Sequence, residues 1–164
     1  MIRIALVDDH ALFRRGLRLL LESHPDFEVV ADAASGEEFL AEVERLRPDV
    51  VFMDYAMPGL NGAATTERAL ALWPELKVIS LSMFGDNAYY SSMASSGARG
   101  FLLKDSEFDE VVEAVETLCA GGTYMSESLM RSLSQSIRSV QKPVPAVAET
   151  DLLSEREVEI LVGI

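Results

Sequence analysis

The chain has 164 residues, of which 49% are hydrophobic, enough for one well-buried domain and a tail. Its formal net charge of −13 argues against nucleic-acid binding by this polypeptide, because such affinity comes largely from Lys and Arg. No apolar stretch reaches the length of a membrane span and no secretion signal is recognisable, so we expect a cytoplasmic protein without membrane contact. The single cysteine, Cys119, lies among valines at helical spacing and is predicted to be a small buried hydrophobe.

Short apolar, β-rich runs recur along the first 124 residues, separated by helix-like stretches. In chain order the predicted strands are Ile2–Val7, Phe27–Ala33, Asp49–Met53, Lys77–Leu81 and Gly100–Leu103. Runs of this length between helices are typical of the buried strands of a parallel sheet. Five β/α repeats therefore predict a doubly wound α/β domain.

Each predicted strand is followed by a predicted helix. The first has Phe13, Leu17, Leu20 and Leu21 on one face, and the second has Phe39, Leu40, Val43 and Leu46 and is closed by Pro48. The others are Gly62–Trp73, stopped by Pro74, then Asp86–Ser96, and then Glu107–Ala120, ended by Gly121 and Gly122. Gly97 is predicted to be the left-handed cap of the fourth helix.

The last forty residues differ in pattern. Leu129, Leu133 and Ile137 recur every four residues, which predicts a helix from Ser126 to about Val140. Pro143 and Pro145 then predict an extended linker, and Ser154 with Glu157 forms a capping box that opens a final helix. We therefore predict a domain at residues 1–124, a linker with a helix at 125–150, and the start of a truncated second domain at 151–164.

Polar residues occupy the ends of four predicted strands. Asp8 and Asp9 follow the first strand, Asp54 the third, Ser82 the fourth and Lys104 the fifth. Because neighbouring parallel strands end at one edge of the sheet, where ligands bind, these side chains are predicted to share one pocket. Clustered carboxylates without cysteine suit Mg²⁺, and the lysine and hydroxyl suit a phosphoryl group.

Each of these residues alone has a simpler interpretation. Asp8 and Asp9 could cap the first helix, Asp54 could be a solvated loop residue, and a strand-end Ser82 or Lys104 is commonplace. His10 is interpreted only as a helix-start residue, since a lone histidine makes no zinc site. Only the combination favours a metal and phosphoryl site.

The motifs resemble the receiver domain of bacterial two-component response regulators, specifically the NarL/FixJ subfamily, which carries a LuxR-type helix-turn-helix. The matching segments are Val7-Asp8-Asp9-His10, Met53-Asp54, Met57-Pro58-Gly59-Leu60-Asn61-Gly62, Leu81-Ser82-Met83 and Gly97 through Asp105. The resemblance implies a flavodoxin-like fold with five strands in the order 2-1-3-4-5. Asp105 stands where many receivers have proline, which fits the LuxR-type subfamily. Residues 153–161 resemble the opening of its DNA-binding domain.

The resemblance also implies roles for the pocket residues. Asp54 would be the phospho-acceptor, and Mg²⁺ would be held by Asp9, Asp54 and the backbone carbonyl of Ala56, with Asp8 acting through water. The phosphoryl donor would be the phosphohistidine of a sensor histidine kinase.

Two further residues and one surface would carry the switch. Ser82 and Lys104 would bind the phosphoryl group, and Phe101 matches an aromatic that turns inward on activation. The predicted fourth helix, fifth strand and fifth helix would be the surface that changes. The fourth helix contains four serines, which are weak helix formers, and Tyr89 and Tyr90 are adjacent there, so at least one is expected to face solvent.

The sequence thus predicts a phosphorylation-controlled receiver that regulates transcription and is not a turnover enzyme. DNA would be bound only through the missing part of the second domain, and a homodimer could form through the receiver or the linker helix. Two alternatives are a pseudo-receiver that is never phosphorylated and a phosphohydrolase with an aspartyl-phosphate intermediate. Such hydrolases usually have an acid two residues after the nucleophile, where this chain has Ala56.

Overall fold

The computed structural model describes residues 1–83 and 87–141, with side chains as far as residue 134. The chain divides into two compact units, Met1–Ser132 and Leu133–Ile164. The predicted linker after Pro143 and the predicted helix start at 151–164 lie outside the described residues, as does Asp86. The boundary at residue 124 stays a prediction.

The first unit is built around one parallel sheet of six strands in the order β2-β1-β3-β4-β5-β6. The strands are β1 Ile2–Val7, β2 Phe27–Ala33, β3 Val50–Asp54, β4 Lys77–Ser82, β5 Gly100–Leu103 and β6 Tyr124–Met125. The predicted doubly wound α/β fold and its 2-1-3-4-5 order are confirmed. The predicted count of five misses β6, which at two residues is too short to give an apolar run. Asp54 and Ser82 are the last residues of their strands and do not follow them.

The helices are α1 Ala11–Glu22, α2 Gly36–Leu40, α3 Val43–Leu46, α4 Gly62–Leu72, α5 Asn87–Ser96, α6 Phe108–Cys119 and α7 Glu127–Gln141. The single second helix predicted from sequence is therefore wrong, because two short helices replace it. Each buries only one side chain, Phe39 in α2 and Val43 in α3, which is little to hold one continuous helix. Gly97 has the predicted left-handed conformation, with φ of 115°. None of the described helices is long and apolar enough to cross a membrane.

Two side chains depart from their predicted burial. Leu20 is 49% exposed, although Leu17 and Leu21 on the same helix are buried. Cys119 is exposed, so its prediction as a buried hydrophobe is wrong. It lies in the last turn of α6, where the preceding Leu118 takes the inward position. Successive helix residues point about 100° apart, so only one of the two can face the sheet.

The core holds the central strands rigidly. Every residue of β3 is buried, and on one face of the sheet Ile4, Phe52 and Ile79 pack in the same cluster as Leu21 of α1 and Leu118 of α6. Burying each such side chain stabilises the fold by about 1.5–3 kcal/mol. The carboxyl ends of the strands therefore project from a fixed frame.

Gly62 fixes the loop that follows β3. Its N–H donates to the carbonyl of Tyr55 at 2.9 Å, which closes the loop onto the start of α4. A Cβ at this position would lie 2.4 Å from the carbonyl oxygen of Asp54 and 2.8 Å from Cα of Tyr55. Because both neighbours are backbone atoms, only hydrogen fits here.

We expect Gly62→Ala to lower the free energy of unfolding by about 1–3 kcal/mol, because the overpacked backbone at Asp54 must shift. Urea denaturation monitored by circular dichroism measures it. Gly16→Ala is the matched control, since a Cβ on Gly16 in α1 meets nothing within 4 Å. That change should be neutral or stabilising by up to about 1 kcal/mol. Equal effects of both substitutions would contradict the close approach at Gly62.

Candidate functional site: an acidic pocket at the carboxyl edge of the sheet

The sheet register brings four strand ends together. In the parallel pairing Asp54 lies opposite Leu81, and Ser82 lies opposite Leu103. The backbone N–H of Lys104 then donates to the carbonyl of Ser82 at 2.8 Å, which carries the register one residue beyond β5. The ends of β1, β3, β4 and β5 thus form one edge that carries the polar residues.

A buried lysine is the centre of this edge. The Nζ atom of Lys104 lies 2.9 Å from Oδ2 of Asp8 and 3.5 Å from Oδ1 of Asp54. The side chains of Lys104, Asp8 and Asp54 are 5%, 3% and 4% exposed. The ammonium also lies 4.9 Å from the centre of the Phe13 ring, a cation–π contact. A charge this deep is held only when it is paired, as it is here by two carboxylates.

The acidic residues around Lys104 form a cluster suited to a divalent cation. Ligand atoms of Asp8, Asp9, His10 and Asp54 all lie within 4.8 Å of one another. Oδ2 of Asp54 is buried and has no hydrogen-bond partner among the described residues. One ammonium does not balance three carboxylates, and hard oxygen ligands are what Mg²⁺ prefers. The residues therefore fit a bound Mg²⁺.

The electrostatic environment of Asp54 is unusual. Burial, and secondarily the charge of Asp8, raises the pKa of the Asp54 carboxyl to about 7 in the metal-free protein, while Lys104 opposes that rise. The Asp54 carboxylate is therefore destabilised unless a cation compensates it. Any cationic ligand bound here would stabilise the ionised form of Asp54.

A small cavity of about 80 Å³ opens beside Asp54. Ala56, Ser82, Tyr89 and Lys104 contribute to its wall. At about 30 Å³ for each water, it holds two or three waters or one small oxyanion. Ser82 and Lys104 thus border the same space as Asp54, as the sequence analysis expected.

The aromatic residues of the switch region are packed. Phe101 is 7% exposed, and its ring centre lies 4.8 Å from that of Tyr90. Tyr89 packs in the same way against Tyr55, with ring centres 4.6 Å apart. The sequence suggested that at least one of Tyr89 and Tyr90 faces solvent. Both are half-buried, and neither projects fully into solvent. The ring contacts join residues far apart in the chain, and a local pattern cannot reveal them.

The sequence analysis missed two residues of the pocket. The sequence places Phe13 on the core face of α1, yet its ring also contacts the Lys104 ammonium. The sequence indicates only a helix-start role for His10, yet its Nδ1 lies 3.0 Å from Nζ of Lys104. The signal for His10 was its position directly after Asp8 and Asp9 at the end of β1.

Comparison with known proteins identifies the family. Residues 4–116 match the response regulator receiver domain. The chain belongs to this family. The receiver is 35% identical over 172 residues to the transcriptional regulatory protein DegU of Brevibacillus brevis, covering 98% of this chain and 73% of the relative. It is 37% identical over 163 residues to the oxygen regulatory protein NreC of Staphylococcus epidermidis, covering 97% and 75%.

A solved structure agrees with the sequence relatives. The crystal structure of a LuxR-family two-component response regulator from Aurantimonas sp. superposes with a TM-score of 0.76 at 32% identity, covering 82% of this chain and 96% of that one. This chain therefore contains the receiver domain of a LuxR-family response regulator. Such receivers are signalling proteins and not classical enzymes.

The raised pKa of Asp54 predicts a pH-dependent stability. The folded state binds the Asp54 proton more tightly than the unfolded state, so stability falls as pH rises from about 4 to about 7. In metal-free buffer, Asp54→Asn should remove this loss. The change in the free energy of unfolding caused by Asp54→Asn should be more stabilising at pH 8 than at pH 4, by on the order of 2 kcal/mol. Urea denaturation across this pH range measures it.

Asp26→Asn, at an exposed carboxylate before β2, is the control for charge removal in this acidic chain. It measures the effect of removing one exposed negative charge under the same conditions. If Asp54→Asn behaves like Asp26→Asn, Asp54 does not have the raised pKa.

Proposed function

We propose that Asp54 accepts a phosphoryl group from the phosphohistidine of a sensor histidine kinase in an Mg²⁺-dependent reaction, and that this switches an output surface controlling transcription. The observation that carries the proposal is the buried contact of Lys104 with Asp54 and Asp8 beside a cavity of about 80 Å³. A carboxylate nucleophile, a cation and a hydroxyl thereby meet at one small space. Membership of the receiver family supports the same assignment.

In the proposed reaction an oxygen of Asp54 attacks phosphorus, and the P–N bond of the phosphohistidine breaks. The donor ring, protonated on its other nitrogen, takes the electron pair of that bond and leaves as neutral imidazole. Lys104 and Ser82 bind oxygens of the transferred group, since phosphoryl transfer depends mainly on positioning and on charge neutralisation. Asp9, Asp54 and the carbonyl of Ala56 would hold Mg²⁺, with Asp8 acting through water. When bound, the ion neutralises charge on the carboxylates and on the phosphoryl oxygens.

Ala56 favours a receiver over a hydrolase. Its side chain borders the cavity two residues after Asp54 and carries no proton donor. A hydrolase would need an acid or base near the acyl phosphate for rapid turnover. We therefore expect an aspartyl phosphate that persists.

The output surface we propose consists of α5, β5 and α6, which correspond to the predicted fourth helix, fifth strand and fifth helix. Met93 is the one fully buried side chain of α5 among the described residues, and the ring contacts of Tyr89 and Tyr90 supply further anchors. A helix held by so few contacts opens at a low free-energy cost. Movement of Ser82 toward the phosphoryl group would pull the segment that joins β4 to this helix, and Phe101 would follow. DNA would be bound through the C-terminal domain, and a homodimer through the receiver or α7 is compatible with this output.

The phosphorylation step is tested with Mg²⁺ and acetyl phosphate, followed by intact mass. Wild type should gain one phosphoryl group, and Asp54→Ala should gain none. Lys104→Met should slow uptake by at least about tenfold, because it removes the cation that faces the phosphoryl oxygens.

Lys77→Met is the matched control, because Lys77 begins β4 at the opposite edge of the sheet. It should leave the rate unchanged. Uptake by Asp54→Ala would contradict the acceptor assignment, and steady release of phosphate without an adduct would favour the hydrolase.

The switch is tested by hydrogen exchange with and without beryllium fluoride, a phosphoryl mimic. We expect the mimic to change the protection of α5 by at least about fivefold while α1 changes little, because α5 has few buried anchors. Unchanged protection of α5, with the mimic shown to be bound, would contradict the proposed output surface.

A further inference from the structure

His10 contacts the pocket in a way that its position alone does not require. It is the N-cap residue of α1, yet its side chain makes no capping hydrogen bond to the helix. Nδ1 lies instead 3.0 Å from Nζ of Lys104 and 3.2 Å from Oδ1 of Asp8. Good N-cap residues use a side-chain oxygen to accept from the first turn, which histidine lacks. The side chain is therefore placed for the pocket and not for the helix end.

The Lys104 ammonium has three N–H donors and cannot accept. Asp8 at 2.9 Å and Asp54 at 3.5 Å contact it as ion pairs, and Nδ1 of His10 lies 3.0 Å away, at hydrogen-bond distance. The lysine side chain is only 5% exposed, and the His10 side chain, which is 59% exposed, lies between it and solvent. His10 thus adds a neutral hydrogen-bond acceptor beside the two carboxylates.

The direction of the hydrogen bond between Lys104 and His10 depends on which of the two side chains can accept. One nitrogen cannot both accept from Lys104 and donate to Asp8. The backbone N–H of His10 already donates to Oδ1 of Asp8 at 2.8 Å, so that oxygen has a donor without the ring. Lys104 has no acceptor capacity of its own, so a hydrogen bond between the two side chains requires Nδ1 of His10 to accept and Nε2 to carry the ring proton.

We propose that His10 is a positioning residue for Lys104, a role that rests on the proposed function of the pocket. It holds the ammonium beside Asp54 through a neutral hydrogen bond. When a phosphoryl oxygen arrives, Lys104 exchanges its contact with Asp54 for that oxygen while the bond to His10 keeps it in place. A neutral acceptor suits this exchange, because a third carboxylate would hold the ammonium more strongly and repel the phosphoryl group.

The test compares His10→Ala with His10→Asn, in which Oδ1 can occupy the place of Nδ1 as an acceptor. Initial rates of phosphoryl uptake from acetyl phosphate are measured at saturating Mg²⁺, and Mg²⁺ affinity is measured separately by calorimetry. His10→Ala should slow uptake by about five- to tenfold, the worth of one hydrogen bond. His10→Asn should stay within about threefold of wild type, and Mg²⁺ affinity should change less than about twofold in both.

Two controls keep the outcome interpretable. His24→Ala removes the other histidine of the chain, which stacks on Phe27 at the start of β2, the end of the sheet opposite the pocket, and should not alter uptake. If His10→Ala does not fold, as judged by thermal unfolding, His10→Leu keeps the bulk of the side chain and gives the same comparison.

Three results would overturn the positioning role. Uptake by His10→Ala at the wild-type rate shows that the hydrogen bond does not matter. Equal slowing by alanine and asparagine shows that the acceptor is not the reason, and a parallel loss of Mg²⁺ affinity makes His10 a metal ligand instead. If wild type itself takes up no phosphoryl group, the proposed function fails, and this role fails with it.

Discussion

The contact of the buried Lys104 ammonium with Asp8 and Asp54 is the constraint on which the rest of the site depends. Three charged side chains lie almost without solvent at the edge of a sheet. A buried cluster of charged side chains is stable only while its charges compensate one another, and here the negative charge of the carboxylates exceeds the positive charge of the one ammonium. Burial, and secondarily the charge of Asp8, raises the pKa of Asp54, and the excess of carboxylates suits the pocket to a divalent ion and a phosphoryl group.

The fold supplies this contact through its register. The strands are fixed by an apolar core on which the helices pack, and the Lys104–Ser82 backbone hydrogen bond extends the β4–β5 pairing to the site. Gly62 lets α4 begin directly against the carbonyl of Asp54. The least anchored described element near the cavity, α5, borders it through Tyr89. A rigid site beside a weakly held helix is the arrangement that a phosphorylation switch requires.

Much of this could be predicted from sequence, because the informative signals are apolar runs and the single polar residues at their ends. Apolar runs located β1 to β5, and the polar residues after them located the pocket, since parallel strands end together. Features that depend on contacts between distant residues could not be predicted. The two-residue β6 forms only because it pairs with β5, the break between α2 and α3 has no proline or glycine to mark it, and the contact of His10 with Lys104 spans 94 positions.

The most direct test is an NMR titration of the Asp54 carboxyl carbon in the metal-free protein, in wild type and in Lys104→Met. Lys104 lowers the pKa of Asp54 while burial and Asp8 raise it. We expect a midpoint of about 7 in wild type and a higher one when the ammonium is removed. An ordinary carboxyl midpoint that Lys104→Met does not move would contradict a shared, buried charge cluster.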